Sequence, residues 1–470
     1  MVVAFILSTI AGGLAVIVLI WSLRGLRVLA NYLASLIPTK YIATENPEDD
    51  HIQIVVVGDI GRSPRMQYHA ISFAKLNRMV DIVGFRETAR HPELIGNPNV
   101  NVFPLTPVPE WIAWNNLPFF INIPCKVLQQ FYTLYCTLMY TAPAAKWMVL
   151  QNPPSIPLFH IALFVSWMRG SKIVVDWHNY GHTILAQNKL YSLFVPIYRW
   201  YEMRIGRFLG NANLAVTDAM TAQLQGAKYK LKGPIRTLHD RPAAIFEPVQ
   251  SDSDRMAILQ RIPETKKMAK DILSGSVRLI VSSTSWTADE DFGMLLDALM
   301  AYAIPEVVAE KKDFPVPILA IITGKGPQKE AYLAKIKELT EAGKLPGIQV
   351  TTAWLSNRDY AGLLAASDLG ISLHKSSSGV DLPMKVVDMF GAGLPVAAYS
   401  DFESFGELVK EGQNGCGFVN ANELTAIFRR LLSDEGAKEL STLKQGAVKE
   451  GSLRWDEQWT SVVPKLMDLE

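Results

Sequence analysis

The sequence predicts an α/β protein of two doubly wound domains carried behind an N-terminal transmembrane helix. Three observations predict it. Short apolar strand segments recur, each running into a loop rich in Gly, Ser or Pro and then into a helical pattern, as in parallel sheets covered on both faces. The series starts twice, at His51–Val57 and again at Val277–Val281, with a polar stretch between. Met1 to Leu23 carries no charged side chain and as a helix would span about 33 Å, enough for a bilayer core. The length of 470 residues suits two or more domains, and 49% apolar residues can fill large cores.

Composition narrows the function classes. A net charge of +1 gives no sign of nucleic-acid binding. Cys125, Cys136 and Cys416 are too few and too scattered for a disulfide framework or a four-ligand zinc site, and point to a reducing compartment. Arg24 and Arg27 follow the apolar segment at once, so the positive-inside rule places the N-terminus outside and the body in the cytosol. The expected division is an anchor over 1–23, a juxtamembrane tether over 24–50, a first α/β domain over 51–240 and a crossing with a surface insertion over 241–275. A second α/β domain over 276–440 and a C-terminal helical segment over 441–470 that packs back on the first domain complete it.

In the first domain, the buried strand at His51 is followed by Gly58-Asp-Ile-Gly-Arg-Ser-Pro64, with Ser63 as N-cap and Pro64 as the first helical residue. Gly61, Arg62 and Arg65 lie at this strand-to-helix turn, where two arginines suit a diphosphate; a purely structural turn is the alternative. From Trp111 to Ala145 Lys126 is the one charged residue, and Pro118, Pro124 and Pro143 make the segment a poor spanning helix. It reads either as buried core helices or as a surface that lies on a membrane through Trp111, Trp114, Phe119, Phe120 and Ile121. Asp176 and His178 end the strand Lys172–Asp176, and Glu202 lies in a later helix.

In the second domain, the strand at Val277 leads into Ser282–Thr287, and Thr287 to Glu290 has capping-box spacing. Pro317–Thr323 runs into Gly324-Lys325, and further strands fall at Ile348–Thr352 and Leu369–Leu373. The stretch Leu382–Val396 then brings a polar loop containing Ser377 and Ser378, a helix start at Pro383, Lys385 in the first turn and Asp388 one turn on. A helix N-terminus behind a flexible loop offers free N–H groups to an anion, with Lys385 placed for phosphate and Asp388 for a ribose diol; an ordinary amphipathic helix with one exposed Lys and one exposed Asp is the alternative. The acidic triplets 252–254 and 289–291 lie in a charge run and a helix cap, so no metal site is expected.

Five segments, GDIGRSPRMQYHA (58–70), LQNPPSIP (150–157), DWHNYG (176–181), SSTSWTADEDF (282–292) and SSSGVDLPMKVVDMFGAGLPV (376–396), resemble the eukaryotic chitobiosyl-diphosphodolichol β-mannosyltransferases, glycosyltransferases of the GT-B fold. The resemblance implies two domains facing a cleft, with the nucleotide sugar held mainly by the second. It implies an inverting transfer of mannose from GDP-mannose to GlcNAc₂ on dolichyl diphosphate, forming a β-1,4 bond on the cytosolic face of the endoplasmic reticulum, without a metal or other cofactor. Ser283, Thr284, Gly324, Lys325, Ser377, Ser378, Lys385 and Asp388 are then donor-binding, Gly61, Arg62, Arg65 and Glu202 acceptor-binding, and Asp176 and His178 the candidates for the catalytic base. Expected partners are the two substrates, the membrane and other glycosyltransferases of the same pathway. A catalytically silent relative that anchors or regulates another transferase is the alternative reading.

Overall fold

The computed structural model describes residue 24 and residues 37–110, 119–287, 290–308 and 311–469. The expected membrane helix over 1–23, Arg27, Trp111 and Trp114 lie outside the described residues. Among the described residues no helix is long and apolar enough to cross a membrane.

Seven strands form the first sheet: β1 (His51–Asp59), β2 (Met79–Phe85), β3 (Val100–Pro104), β4 (Trp147–Asn152), β5 (Lys172–Trp177), β6 (Ala212–Ala215) and β7 (Ile235–Thr237). Their order is β3-β2-β1-β4-β5-β6-β7, and every pairing is parallel. In the second domain come β8 (Arg278–Ser283), a small antiparallel pair β9 (Glu306–Val308) and β10 (Lys311–Asp313), then β11 (Ile318–Thr323), β12 (Ile348–Ala353), β13 (Leu369–Ser372), β14 (Val396–Tyr399) and β15 (Gly415–Phe418). Six of these make a second all-parallel sheet in the order β12-β11-β8-β13-β14-β15. The strands read as unbroken apolar runs because both faces are covered: Ile54 and Val55, or Ile280 and Val281, alternate between opposite cores and are all at most 1% exposed. Strand order reverses between β1 and β4 and between β8 and β13. A doubly wound sheet opens a crevice at such a point, beyond the carboxyl ends of its strands.

Helix Pro64–Lys75 begins as expected, but the Ser63 hydroxyl makes no cap; it donates to the Asp59 carbonyl at 3.2 Å. Residues 251–271 are not a loose insertion. They form helices Asp252–Arg261, Pro263–Lys266 and part of Ala269–Ser274, whose Leu259, Ile262 and Ile272 are buried in the second domain's core. The charges that made them look solvated serve as side-on pairs, Arg255 to Asp368 at 2.7 Å and Arg261 to Asp359 at 2.7 Å.

Of the C-terminal segment, helix Ala437–Gly451 stays on the second domain, while Trp455–Leu466 returns to the first. There Trp455 Nε1 donates to Ser72 Oγ and Trp459 Nε1 to His69 Nδ1, each at 2.9 Å. Pro464 lies inside this helix's last turn rather than ending it. The outgoing connection near residue 241 and the return near residue 455 are laced together, since Arg241 donates to Gln458 at 3.0 Å and to Glu450 at 3.2 Å. Helix Phe119–Cys136 contains Pro124 and is amphipathic, burying Leu134 while leaving Leu128 and Tyr132 more than 60% exposed.

Candidate active site

The carboxyl edge of the first sheet is organised around a buried carboxylate. Asp176, near the end of β5, has no exposed surface and accepts from Arg65 Nε at 2.8 Å and Nη2 at 3.0 Å, from His69 Nε2 at 3.1 Å and from His178 Nε2 at 2.8 Å. Burial alone would raise its pKa. The Arg65 charge, then His178 and His69, outweigh burial and hold the carboxyl well below the usual carboxylate range. Arg65 is itself buried, and its Nη1 donates to the Leu238 carbonyl at 2.9 Å and to Asp240 at 2.8 Å.

A second buried hub is Glu202. It accepts from Asn152 Nδ2 at 3.2 Å, Ser155 Oγ at 2.7 Å, Gly181 N at 2.8 Å and His182 Nδ1 at 2.6 Å. The loop after β4, which carries three cis prolyl bonds, is thereby tied to the loop after β5.

In the second domain the loop after β8 faces the helix Met384–Gly391. Lys385 Nζ, in the first turn, reaches Glu290 at 2.5 Å and Ser285 Oγ at 3.2 Å. Glu290 is buried and also accepts from Thr284 Oγ1 and from the Ser285 N–H. It does not act as a capping-box acid, because helix Phe292–Ala303 starts later, with Asp291 at the N-cap position making no side-chain cap bond. The loop after β11 lies against this one so closely that a Cβ at Gly324 or Gly326 would stand 1.8 Å from the carbonyl of Thr284 or Ser285; Gly324 also has φ +125°. Lys325 Nζ sits 3.9 Å above the Trp354 ring.

Asp388 is half-buried one turn after Lys385. Burial, and then the charge of Asp240, push its pKa up to about 7. Its field also helps raise the phenol pKa values of Tyr68, from the first domain, and of Tyr360, both of which are raised mainly by burial. Tyr360 OH bonds Ser283 Oγ at 2.9 Å. The polar loop after β13 is pinned by Asp381, which accepts from Ser378 Oγ at 2.9 Å and His374 Nε2 at 3.1 Å.

The two halves meet. Ser377 Oγ accepts from Asn179 Nδ2 at 3.2 Å and bonds Thr183 Oγ1 at 3.3 Å, and Thr217 Oγ1 donates to the Val380 carbonyl at 2.6 Å. Glu407 crosses from the second domain to accept the N–H groups of Asp218 and Ala219 at 2.7 and 2.8 Å, with His239 at 3.1 Å. The Asp218–His239–Glu407 cluster is thus a clasp around a helix N-terminus.

Several expected roles change with this geometry. Arg65 is 4% exposed and makes four hydrogen bonds inside the protein, so it holds Asp176 and Asp240 rather than presenting a free guanidinium to a diphosphate. Asp176 presents no oxygen to the cleft and orients His178, whose side chain keeps 21% exposure. Glu202 is enclosed by its donors and holds loops instead of a sugar. Gly61 is a packing position, since a Cβ there would lie 2.3 Å from Thr88 Oγ1 and 2.5 Å from the Ala89 carbonyl. Arg62 stays 74% exposed, 3.6 Å from Asp59. Ser283, Thr284, Gly324, Lys385 and Asp388 come together around the β8/β13 crevice, Ser377 faces the first domain, and Ser378 is spent on Asp381. Missed by sequence reasoning were Asn152, Ser155, His69 and Asp240. Asn152 carried a signal, a lone polar residue ending an apolar strand, but the partners of a buried carboxylate leave no local pattern.

No family model matches the sequence. The fold is that of glycosyltransferases: a sucrose-phosphate synthase from Thermosynechococcus elongatus superposes with a TM-score of 0.62 at 14% identity, over 90% of this chain and all of that one. Anabaena HepE, in complex with UDP and glucose, does so with a TM-score of 0.59 at 17% identity, over 89% of this chain and all of that one. At the sequence level the chain is 41% identical to the chitobiosyldiphosphodolichol beta-mannosyltransferase of Arthroderma benhamiae over 441 residues, covering 92% of this chain and 95% of that protein. It is 38% identical to that of Homo sapiens over 447 residues, 89% of this chain and 93% of the human protein. With two doubly wound domains closing on a Lys385–Glu290 crevice, and with identity of this order along nearly its whole length, the chain belongs to the chitobiosyldiphosphodolichol β-mannosyltransferases.

Proposed function

We propose that this chain transfers mannose from GDP-mannose to chitobiose on dolichyl diphosphate, with inversion, so that the C1–O bond to GDP breaks as a β-1,4 bond to the acceptor hydroxyl forms. The single observation that carries the donor side is the placement of Lys385, on the first turn of a helix at the β8/β13 crevice, against the Ser285 hydroxyl of the β8 loop. Its charge and the helix's first N–H groups offset the negative charge that grows on the departing diphosphate, and Asp388 receives the ribose diol. In this reading Lys385 exchanges Glu290 for phosphate oxygens, and no metal is needed to neutralise the leaving group. On the acceptor side His178 takes the hydroxyl proton. Its Nε2 faces Asp176, which leaves Nδ1 as the accepting nitrogen. We place the body on the cytosolic face of the endoplasmic reticulum membrane, held there by the apolar segment 1–23, a placement that rests on the sequence.

The deciding experiment incubates full-length purified protein with GDP-mannose and lipid-linked chitobiose. A folded preparation that neither binds GDP nor transfers mannose returns the silent-relative reading. Lys385→Ala is expected to weaken GDP binding about ten- to hundred-fold, read by calorimetry. Because it also strands the buried Glu290, the double variant Lys385→Ala/Glu290→Gln should recover thermal stability without recovering GDP affinity. Unchanged GDP affinity in the single variant removes Lys385 from the diphosphate site.

A further inference from the structure

Beside the carboxyl edge of the first sheet lies a groove of about 710 Å³. Val127 and Thr133 of helix Phe119–Cys136 line part of it, Phe194, Ile197 and Tyr198 another part, and Phe85 and Ile156, at the end of β2 and in the loop after β4, the rest. Its size is that of a ligand site, and although Lys126, Gln129 and Gln130 stand in its wall, the surface it presents is mostly carbon, unlike a pocket for a sugar or a nucleotide. On the elements that line it, Leu128, Phe131, Phe194, Ile197 and Trp200 remain 45–67% exposed, so the apolar character continues outward onto the surface.

The groove is joined to the active site through hydrogen bonds. Tyr198, in its lining, accepts the Ser155 N–H at 2.9 Å, and Ser155 donates its hydroxyl to Glu202. Glu202 in turn holds Gly181 and His182, in the same loop as Asn179, which reaches across to Ser377. Cations stand at the other margin. Arg86 directly follows Phe85 of the lining, and Arg90 lies close by; among the described residues neither has an ion-pair partner. Asp59 accepts from Glu87 N at 3.0 Å and Thr88 N at 3.2 Å, which ties this arginine-bearing loop to the turn that presents Arg62. Burial, and then the charge of Arg86, lower the Arg90 pKa, as expected for positive charge without a counter-ion.

We propose that this groove holds the isoprenoid chain of the lipid-linked acceptor, with Arg86 and Arg90 on its diphosphate. The assignment rests on the transfer reaction proposed above and adds where the lipid lies. One apolar chain leaving one diphosphate is the chemistry that matches an apolar groove with unpaired arginines at its margin, beside the loops that carry His178.

The test uses full-length protein in detergent and two acceptors, chitobiosyl diphosphate on a long polyprenyl tail and on a short one. The double variant Phe194→Ser/Ile197→Ser replaces side chains more than half exposed, so the fold should tolerate it, and retained GDP binding serves as the check. The ratio of the long-tail KM to the short-tail KM is expected to rise about ten-fold or more, because several buried carbons lose apolar contact. Arg86→Ala/Arg90→Ala should instead raise KM for both acceptors, since the diphosphate is common to them, again with GDP binding retained. An unchanged ratio in the groove variant overturns the proposal, as does a loss of binding to phospholipid vesicles with no change in the ratio, which would make the groove a bilayer contact. Wild-type protein that transfers mannose to neither acceptor overturns the transfer reaction itself and so fails differently.

Discussion

Arg65→Ala is expected to lower the unfolding free energy by about 3–5 kcal/mol in a urea titration, because it strands two carboxylates at once. Asp176 would keep only two imidazoles around a fully buried side chain, and Asp240 would lose its 2.8 Å partner. Arg65→Lys should restore only part of the loss, since an ammonium cannot present two N–H groups to Asp176 while reaching the Leu238 carbonyl and Asp240. The sign of the pH dependence follows from Asp176. An acid whose folded pKa is depressed contributes stability that is present above its unfolded value and lost as pH falls through the folded one. The gap between wild type and Arg65→Ala should therefore hold at neutral pH and narrow below about pH 4, the ordinary Asp value. An equal gap at pH 3 and pH 7 would show that the loss comes from packing and not from charge.

Asp388→Asn is expected to do the opposite to stability and harm to function. A carboxyl raised from 3.8 to about 7 binds its proton more tightly in the folded protein than in the unfolded chain. Its destabilising effect is absent below the unfolded value, grows as pH rises towards 7 and is constant above, reaching about 2–4 kcal/mol once partial exposure is allowed for. The asparagine variant should match wild type near pH 4 and be more stable by about that amount at pH 8. The groups facing Asp388 are Asp240, Tyr68 and Tyr360, and burial above all holds both phenols protonated between pH 5 and 8. A ribose diol donates to an ionised carboxylate, so wild-type GDP affinity should rise as pH passes upward through about 7, and that rise should vanish in Asp388→Asn. A GDP affinity that is flat between pH 6 and 8 in wild type would take Asp388 out of the ribose site. A folded state made less stable by a residue that serves a ligand is the usual relation between stability and function.

What was legible in the sequence follows a physical division. Parallel strands buried on both faces announce themselves as apolar runs, which is why β1, β5, β8, β11, β12 and β13 fall within a few residues of where the pattern puts them. Part of the β8/β13 crevice was legible because it is local: Ser377 to Asp388 form one loop–helix unit, whereas Ser283, Thr284 and Gly324 join it from the end of β8 and from the loops after β8 and β11. The buried hubs of the first domain were not, because they depend on pairings more than a hundred residues apart, such as Arg65 with Asp176 and Arg65 with Asp240. An arginine at a strand-to-helix turn looks the same whether it faces a phosphate or a buried aspartate, and only the packing distinguishes them. The same holds for Glu290, which fitted a capping box in sequence and proved to be the counter-ion of Lys385. Residues 251–271 misled through charge, since their ion pairs with Asp368 and Asp359 accompany one apolar stripe that the second core needs.

The lacing of the two interdomain connections by Arg241 has a mechanical consequence. Two tethers side by side, joined to each other at Gln458 and Glu450, behave as a plate and not as a pair of strings. Such a plate bends readily about the line that runs across it and resists twist and sideways slip, because those motions would shear the Arg241 bonds. Any widening of the cleft would bend this plate and break the bonds that cross directly between the domains, Asn179 to Ser377, Thr217 to Val380 and Glu407 to the Asp218 and Ala219 N–H groups.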